Sequence, residues 1–149
     1  METSDRKCVL FLCTGNYYRS RFAEVLFNHL AERSQLPWFA DSRGLALERG
    51  IHNVGPMASE AVETLQRLGV GVEPHCERMP RALSSVDLER ANRIVALKRD
   101  EHLPLLVERF PPWVNRVEYW HIEDEPGVLP LIERAVRDLL ARLRERADS

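Results

Sequence analysis

No apolar run in the chain approaches the roughly 20 residues that a membrane helix requires. The polar, mixed-charge start Met1–Lys7 carries no apolar segment of the secretory kind. Cysteine is scarce: Cys8, Cys13 and Cys76. An odd count without paired spacing argues against a disulfide framework, and the lack of a Cys-x-x-Cys pair argues against structural zinc. Neither sign of charge dominates: 21 basic and 23 acidic residues give a net charge of −2. No overall field therefore draws the chain to nucleic acid or to an anionic membrane, and any anion must be caught locally. There is no internal repeat, low-complexity tract or long linker. These absences predict a soluble cytoplasmic protein. Its 149 residues, 44% of them hydrophobic, suit one domain, residues 1–149, with a single core.

What is present is an alternation of short apolar runs and amphipathic stretches. Cys8–Leu12 is continuously apolar, as a central strand buried on both faces would be. It stops at the turn signal Thr14-Gly15-Asn16. From Ser20 the apolar residues Phe22, Val25, Leu26 and Leu30 share one helical face. Pro37–Ala40 predicts a second strand, ending at Asp41–Gly44. Ala58, Ala61, Val62, Leu65 and Leu68 mark a helix closed by Gly69. Ser84 and Asp87 are suited to cap a short helix. Arg93–Leu97 and Val117–His121 predict two more strands, and a last helix runs from Leu129. The expected fold is α/β: a single-domain, open, doubly wound sheet of about four parallel strands flanked by helices. Ligands of such sheets bind at the carboxyl ends of the strands, which puts the loop after the first strand at the centre of interest.

That loop reads Cys13-Thr14-Gly15-Asn16-Tyr17-Tyr18-Arg19-Ser20. Successive backbone N–H groups in a tight loop form an anion-binding nest, and the helix start adds unpaired donors and a positive dipole end. Arg19 can grip two oxygens of a phosphate with its planar fork. A cysteine in such a field is favoured as the thiolate. Ser20 can donate toward it, Gly15 permits close backbone turning, and Asn16 tolerates a left-handed conformation while its amide ties the loop. Cys-x5-Arg alone also arises by chance. The strand before, the helix after, and Gly, Asn and Ser in place make the functional reading the stronger one.

The segment Cys13–Ser20 resembles the Cys-x-Gly-Asn-x-x-Arg-Ser signature of the low-molecular-weight protein tyrosine phosphatases. The likeness continues through Ala40-Asp41-Ser42, Gly71–His75 and Trp120–Asp124, in the family's order. The resemblance implies phosphomonoester hydrolysis without metal or cofactor. Cys13 is the nucleophile that becomes phosphocysteine, and Arg19 with the amides of Thr14, Gly15, Asn16, Tyr17, Tyr18 and Ser20 holds the phosphate. Asp124 is the general acid, and Ser42 and His75 support the loop. A phosphorylated protein or a small phosphomonoester is the implied partner.

The chain departs from the family pattern at several places. The usual Asp-Pro of the acid reads Glu123-Asp124-Glu125-Pro126 here, so Glu125 is the alternative acid. Gly127 and Val128 follow where tyrosines often wall a phosphotyrosine slot, and Leu45–Asn53 holds no aromatic residue. Tyr17 or Tyr18 could supply an aromatic surface instead. Tyr18 also stands where many members carry a second, protective cysteine, so oxidised Cys13 is expected to lack that rescue. Arg21 replaces a frequent proline and is expected to add charge near the mouth. Cys8 reads as core, and Cys76 as a bystander more readily than as a resolving thiol.

The other histidines read as surface or packed residues, and Lys98–His102 as a charged turn after a strand. The C-terminal arginines read as a solvated helix face. Two competing functions remain. The related arsenate reductases share the loop but relay electrons through two further cysteines, one of them just after the third strand, where Lys98 stands. A non-catalytic phosphate-binding module fits the altered acid loop, although binding alone requires no thiol.

Overall fold

The computed structural model describes residues 6–74 and 77–148. Four strands form one parallel sheet in the order β2-β1-β3-β4. They are β1 (Lys7–Cys13), β2 (Trp38–Gly44), β3 (Arg93–Ala96) and β4 (Glu118–Tyr119). Five α-helices accompany them among the described residues: α1 (Arg19–Arg33), α2 (Ser59–Arg67), α3 (Ser85–Arg90), α4 (Arg99–Arg109) and α5 (Leu129–Asp148).

The central strand explains the layering. Successive side chains of a strand point to opposite faces. Val9 and Phe11 enter the core built with α1, α2 and α5, while Leu10 and Leu12 enter the core of α3 and α4. All four are at most 2% exposed, so β1 is buried on both faces, which is why it reads as an unbroken apolar run. Helix α1 lays Phe22, Val25, Leu26 and Phe27 on this strand and packs against β2 and α5.

Local signals set the boundaries. Gly69 has φ +80°, a conformation that few side-chain-bearing residues adopt, and it ends the turn after α2. Ser84 and Asp87 form a reciprocal capping box on α3. Two expectations differ. β2 continues through Asp41 to Gly44, pairing residue by residue with Leu10–Cys13. β4 keeps two residues of the expected five: its ladder with β3 is confined to Val95↔Glu118 and Ala96↔Tyr119, and past it the contact continues through single backbone bonds such as Ile122 N–H to the Leu97 carbonyl.

Lys98–His102 is not a charged turn. Lys98 is the N-cap of α4 and Arg99–His102 form its first turn, with Asp100 and Glu101 at the positive end of the helix. Pro104 in the next turn interrupts the helical pattern of the sequence. No described helix is long and apolar enough to cross a membrane.

Candidate active site

Cys13 ends β1 and Arg19 begins α1, so the loop between them lies at the carboxyl edge of the sheet. Tyr18, the N-cap, makes no side-chain cap, and the loop faces the unpaired N–H end of α1. Neighbouring backbone straps it down. The N–H groups of Leu45, Ala46 and Ala58 donate to the carbonyls of Cys13 (2.9 Å), Thr14 (2.9 Å) and Tyr17 (3.0 Å). Gly44 makes this approach possible: a Cβ there would stand 2.9 Å from the Thr14 carbonyl oxygen and 2.5 Å from Leu47 Cδ2.

Asn16 is the hub of the loop. It is fully buried, with φ +51°. Its Nδ2 donates to Ser20 Oγ and Ser42 Oγ, both at 2.9 Å. Its Oδ1 accepts from the Arg81 backbone N–H (3.0 Å) and from Arg78 Nη1 (3.3 Å). Because Ser20 Oγ accepts from Asn16, its own proton is left for Cys13 Sγ, 2.9 Å away. Ser42 likewise accepts from Asn16 and from Arg78 Nη2 (3.0 Å) and donates to Glu24 Oε1 at 2.5 Å. Arg78 closes the circuit on Glu24 at 3.0 Å. Every amide hydrogen and both lone pairs of Asn16 are thereby occupied, which ties the loop to β2, α1 and the 78–81 segment.

Arg19 is 2% exposed. Its Nη1 donates to the Ile122 carbonyl (3.0 Å), its Nη2 to Glu101 Oε2 (2.7 Å), and its Nε lies 3.6 Å from Asp124 Oδ1. Burial pulls its pKa down, but Glu101, with Cys13 and Asp124, raises it above the ordinary value. Burial pushes the Glu101 carboxyl upward, yet His102, Arg19 and Thr14 together hold it well below the usual carboxylate range. His102 is fully buried. Its Nδ1 accepts from the Lys98 N–H at 3.0 Å. That leaves the proton on Nε2, which lies 3.2 Å from both Glu101 Oε2 and Thr14 Oγ1. Burial lowers the His102 pKa, in keeping with a neutral ring.

Over this floor lies a small cavity of about 60 Å³, lined by Cys13, Gly15, Tyr17, Tyr18, Arg19, Asn53 and Asp124. Asn53 presses on Gly15, whose missing Cβ would stand 3.3 Å from the Asn53 amide nitrogen. A side chain at Gly15 would require the Asn53 amide to give way by a few tenths of an ångström; Gly15 is not among the residues of positive φ. Tyr17 donates its hydroxyl to the Val54 carbonyl at 2.5 Å. Asp124 reaches the cavity, whereas Glu125 is not among its lining residues. Glu123 pairs with Lys98.

A comparison with known families matches residues 8–149 to the model described as low molecular weight phosphotyrosine protein phosphatase. The chain belongs to this family. Among solved structures it is similar to YfkJ from Bacillus subtilis, with 25% identity and a TM-score of 0.79 over 95% of this chain and 96% of that one. It is also similar to the low molecular weight protein tyrosine phosphatase of T. tengcongensis, with 25% identity and a TM-score of 0.71 over 95% and 98%. Among curated proteins, an arsenate reductase of Brevibacillus brevis is 27% identical over 146 residues, 97% of each chain.

Against the family pattern, the structure brings Cys13, Arg19, Ser20, Ser42 and Asp124 to one place. His75 and Cys76 lie outside the described residues. The sequence reading missed Glu24, Arg78, Glu101 and His102. Glu24 sits five residues after Arg19 on a helix and carries no motif. Arg78 and Glu101 look like ordinary surface charges until the fold is known. Arg21 does not charge the mouth: it is 1% exposed, its Nη1 donates to the Pro56 carbonyl at 2.9 Å, and burial, with Arg78 nearby, lowers its pKa to about 10. The first turn of α1 directs it beneath the 56–58 segment, not outward. Cys8 is half-buried rather than core, and burial, with Asp41 beside it, raises its pKa to about 12. No grouping of three or more His, Cys, Asp or Glu side chains suited to a metal occurs among the described residues.

Proposed function

We propose that this protein hydrolyses phosphomonoesters, on phosphoproteins or small molecules, through a phosphocysteine on Cys13. The observation that carries the reading is Cys13 Sγ, 2.9 Å from the Ser20 hydroxyl, at the floor of a cavity that Arg19 and Asp124 also line. Cys13 Sγ attacks phosphorus in line with the ester oxygen. As the S–P bond forms, the P–O bond breaks, and Asp124 gives its proton to the departing oxygen. Arg19 and the loop N–H groups bind the three equatorial oxygens, where charge spreads in the transition state. Water then attacks the phosphocysteine and Asp124 takes its proton. The S–P bond breaks, releasing phosphate and the thiolate that Ser20 stabilises. Ser42, with Glu24 and Arg78, holds Asn16 and so keeps the nest in shape.

The relatives named arsenate reductase make arsenate the second candidate substrate. Reduction requires electrons delivered through further thiols. Lys98 stands just after β3, as the N-cap of α4, and pairs with Glu123, and the Cys8 thiol is held protonated by burial. Hydrolysis remains the better reading.

The test is turnover of para-nitrophenyl phosphate by wild type and Cys13→Ser, with acid-quenched trapping of phosphoprotein. Wild type should turn over and carry label on Cys13, and Cys13→Ser should do neither. Phosphate binding without turnover by the reduced wild type would favour the binding-module reading instead.

A further inference from the structure

The acidic turn that carries Asp124 is pinned at both ends and needs something in between. Before it, Ile122 is 5% exposed; its N–H donates to Leu97 and its carbonyl accepts from Arg19. After it, Val128 and Leu129 are buried in the core. Residues 123–127 between these anchors are exposed, and the Asp124 side chain is 62% exposed. Apart from its 3.6 Å approach to Arg19 Nε, the Asp124 side chain is placed by the backbone of the turn.

That backbone is held at Gly127. Its N–H donates to Glu60 Oε2 at 3.4 Å, and the Tyr18 hydroxyl donates to the same carboxylate oxygen. The Gly127 N–H also faces the Tyr18 oxygen. Gly127 has φ +86°, the left-handed region that few other residues enter without strain. Tyr18 immediately precedes Arg19, and Glu60 lies in the first turn of α2. Burial and Glu60 raise the Tyr18 pKa, so the hydroxyl keeps the proton that it donates.

We infer that Tyr18 and Glu60 form a tether between the phosphate loop and the acidic turn, and act as positioning residues for the general acid Asp124. The inference rests on the phosphatase reading. Tyr18 and Gly127, two positions at which the sequence leaves the family pattern, are joined by this one contact. The tether couples the acid to the phosphate loop through side chains, so loosening it should weaken proton donation more than phosphate binding.

The experiment compares para-nitrophenyl phosphate, whose leaving group departs without a proton, with phenyl phosphate, whose leaving group requires one. In Tyr18→Phe and Glu60→Ala the kcat/KM for phenyl phosphate relative to para-nitrophenyl phosphate should fall about tenfold, a fraction of what a general acid supplies. Glu60→Gln, whose amide oxygen can accept from both donors, should retain most of the wild-type ratio. In parallel, the Gly127 amide should exchange its hydrogen about fivefold faster in Tyr18→Phe and Glu60→Ala, as expected for losing one hydrogen bond. An unchanged ratio, equal losses on both esters, or unchanged Gly127 exchange would overturn the tether. Wild type inert toward both esters would sink the phosphatase reading, and amide exchange would then still decide whether the tether exists.

Discussion

Glu101 Oε2 lies 2.7 Å from Arg19 Nη2 and takes the Thr14 hydroxyl as well, so one carboxylate fixes both the Arg19 guanidinium and the residue that follows Cys13. Glu101→Gln should lower kcat/KM for a phosphomonoester by about tenfold, since small misplacements of a positioning group are costly. It should also destabilise the fold by about 1–3 kcal/mol, because a buried arginine loses its charged partner. Steady-state kinetics and urea unfolding check the two parts separately.

Stability should fall as the solution is acidified, in two overlapping stages. His102 has a folded-state pKa below its ordinary value of 6.5. The unfolded chain therefore takes up the proton first, and the stability present above about pH 6.5 is lost as the pH drops toward the lower folded value. Glu101 is also depressed, from an ordinary 4.5, so its contribution is present above that pH and is lost progressively below it. Glu118, depressed by Trp120 and Arg93 against the cost of burial, shares this second stage. Thermal unfolding from pH 8 to pH 3 should show both. His102→Gln should flatten the stage near pH 6, and Glu101→Gln should weaken the more acidic one. An unfolding temperature flat between pH 7 and pH 5 would contradict the assignment of a buried neutral His102.

Arg78 and Glu24 should behave as a pair. Arg78→Met leaves the carboxylate of Glu24, whose side chain is 8% exposed, without its cation, a change of the kind that costs about 3–5 kcal/mol. Pairing it with Glu24→Gln should recover a substantial part of that loss, because the uncompensated charge is gone. A double-mutant cycle in urea reads the coupling. Additive losses would show that the two side chains act independently.

Asp124, and not Glu125, should behave as the acid. Asp124 lines the cavity with Cys13, while Glu125 does not. Asp124→Asn should reduce kcat/KM for a poor leaving group by about 10²–10⁴, and Glu125→Gln should stay within about twofold, as an exposed substitution does. The reverse pattern would move the role by one residue.

Peroxide should inactivate the protein with little recovery. Tyr18 occupies the place of a protective thiol, and the Cys8 thiol, raised to about 12, is a poor partner for a sulfenic acid. After peroxide and then dithiothreitol, mass spectrometry should find Cys13 as sulfinic acid, and Cys76→Ser should not change the outcome. Full recovery in wild type but not in Cys76→Ser would make Cys76 the resolving thiol.

The parts of the fold set by local pattern were legible in the sequence. The apolar run of β1, the helical face of Phe22, Val25 and Leu26, the Ser84–Asp87 capping box and the terminal helix each follow from periodicity or capping. The loop was legible too, because Cys13, Asn16, Arg19 and Ser20 lie within eight consecutive residues. What was hidden depends on long-range pairing. Glu101 reaches Arg19 from 82 positions away, and Arg78 reaches Asn16 from 62. Charged side chains such as these have a solvated alternative at every surface position, so only the closed fold distinguishes them. The first turn of α4 was hidden for a related reason: Pro104 masks the helical rhythm that follows it.

The saturated amide of Asn16 has a consequence for how the protein can change. A loop tied through an amide whose own donors and acceptors are all spoken for holds its shape before any ligand arrives, so the entropy of ordering it is met in folding and not at each encounter. The freedom to vary then belongs to exposed side chains of the rim such as Ile51, His52 and Glu125, none of which is hydrogen-bonded to the 13–20 loop. Substitutions there can change the rim while the floor organised around Asn16 stays as it is.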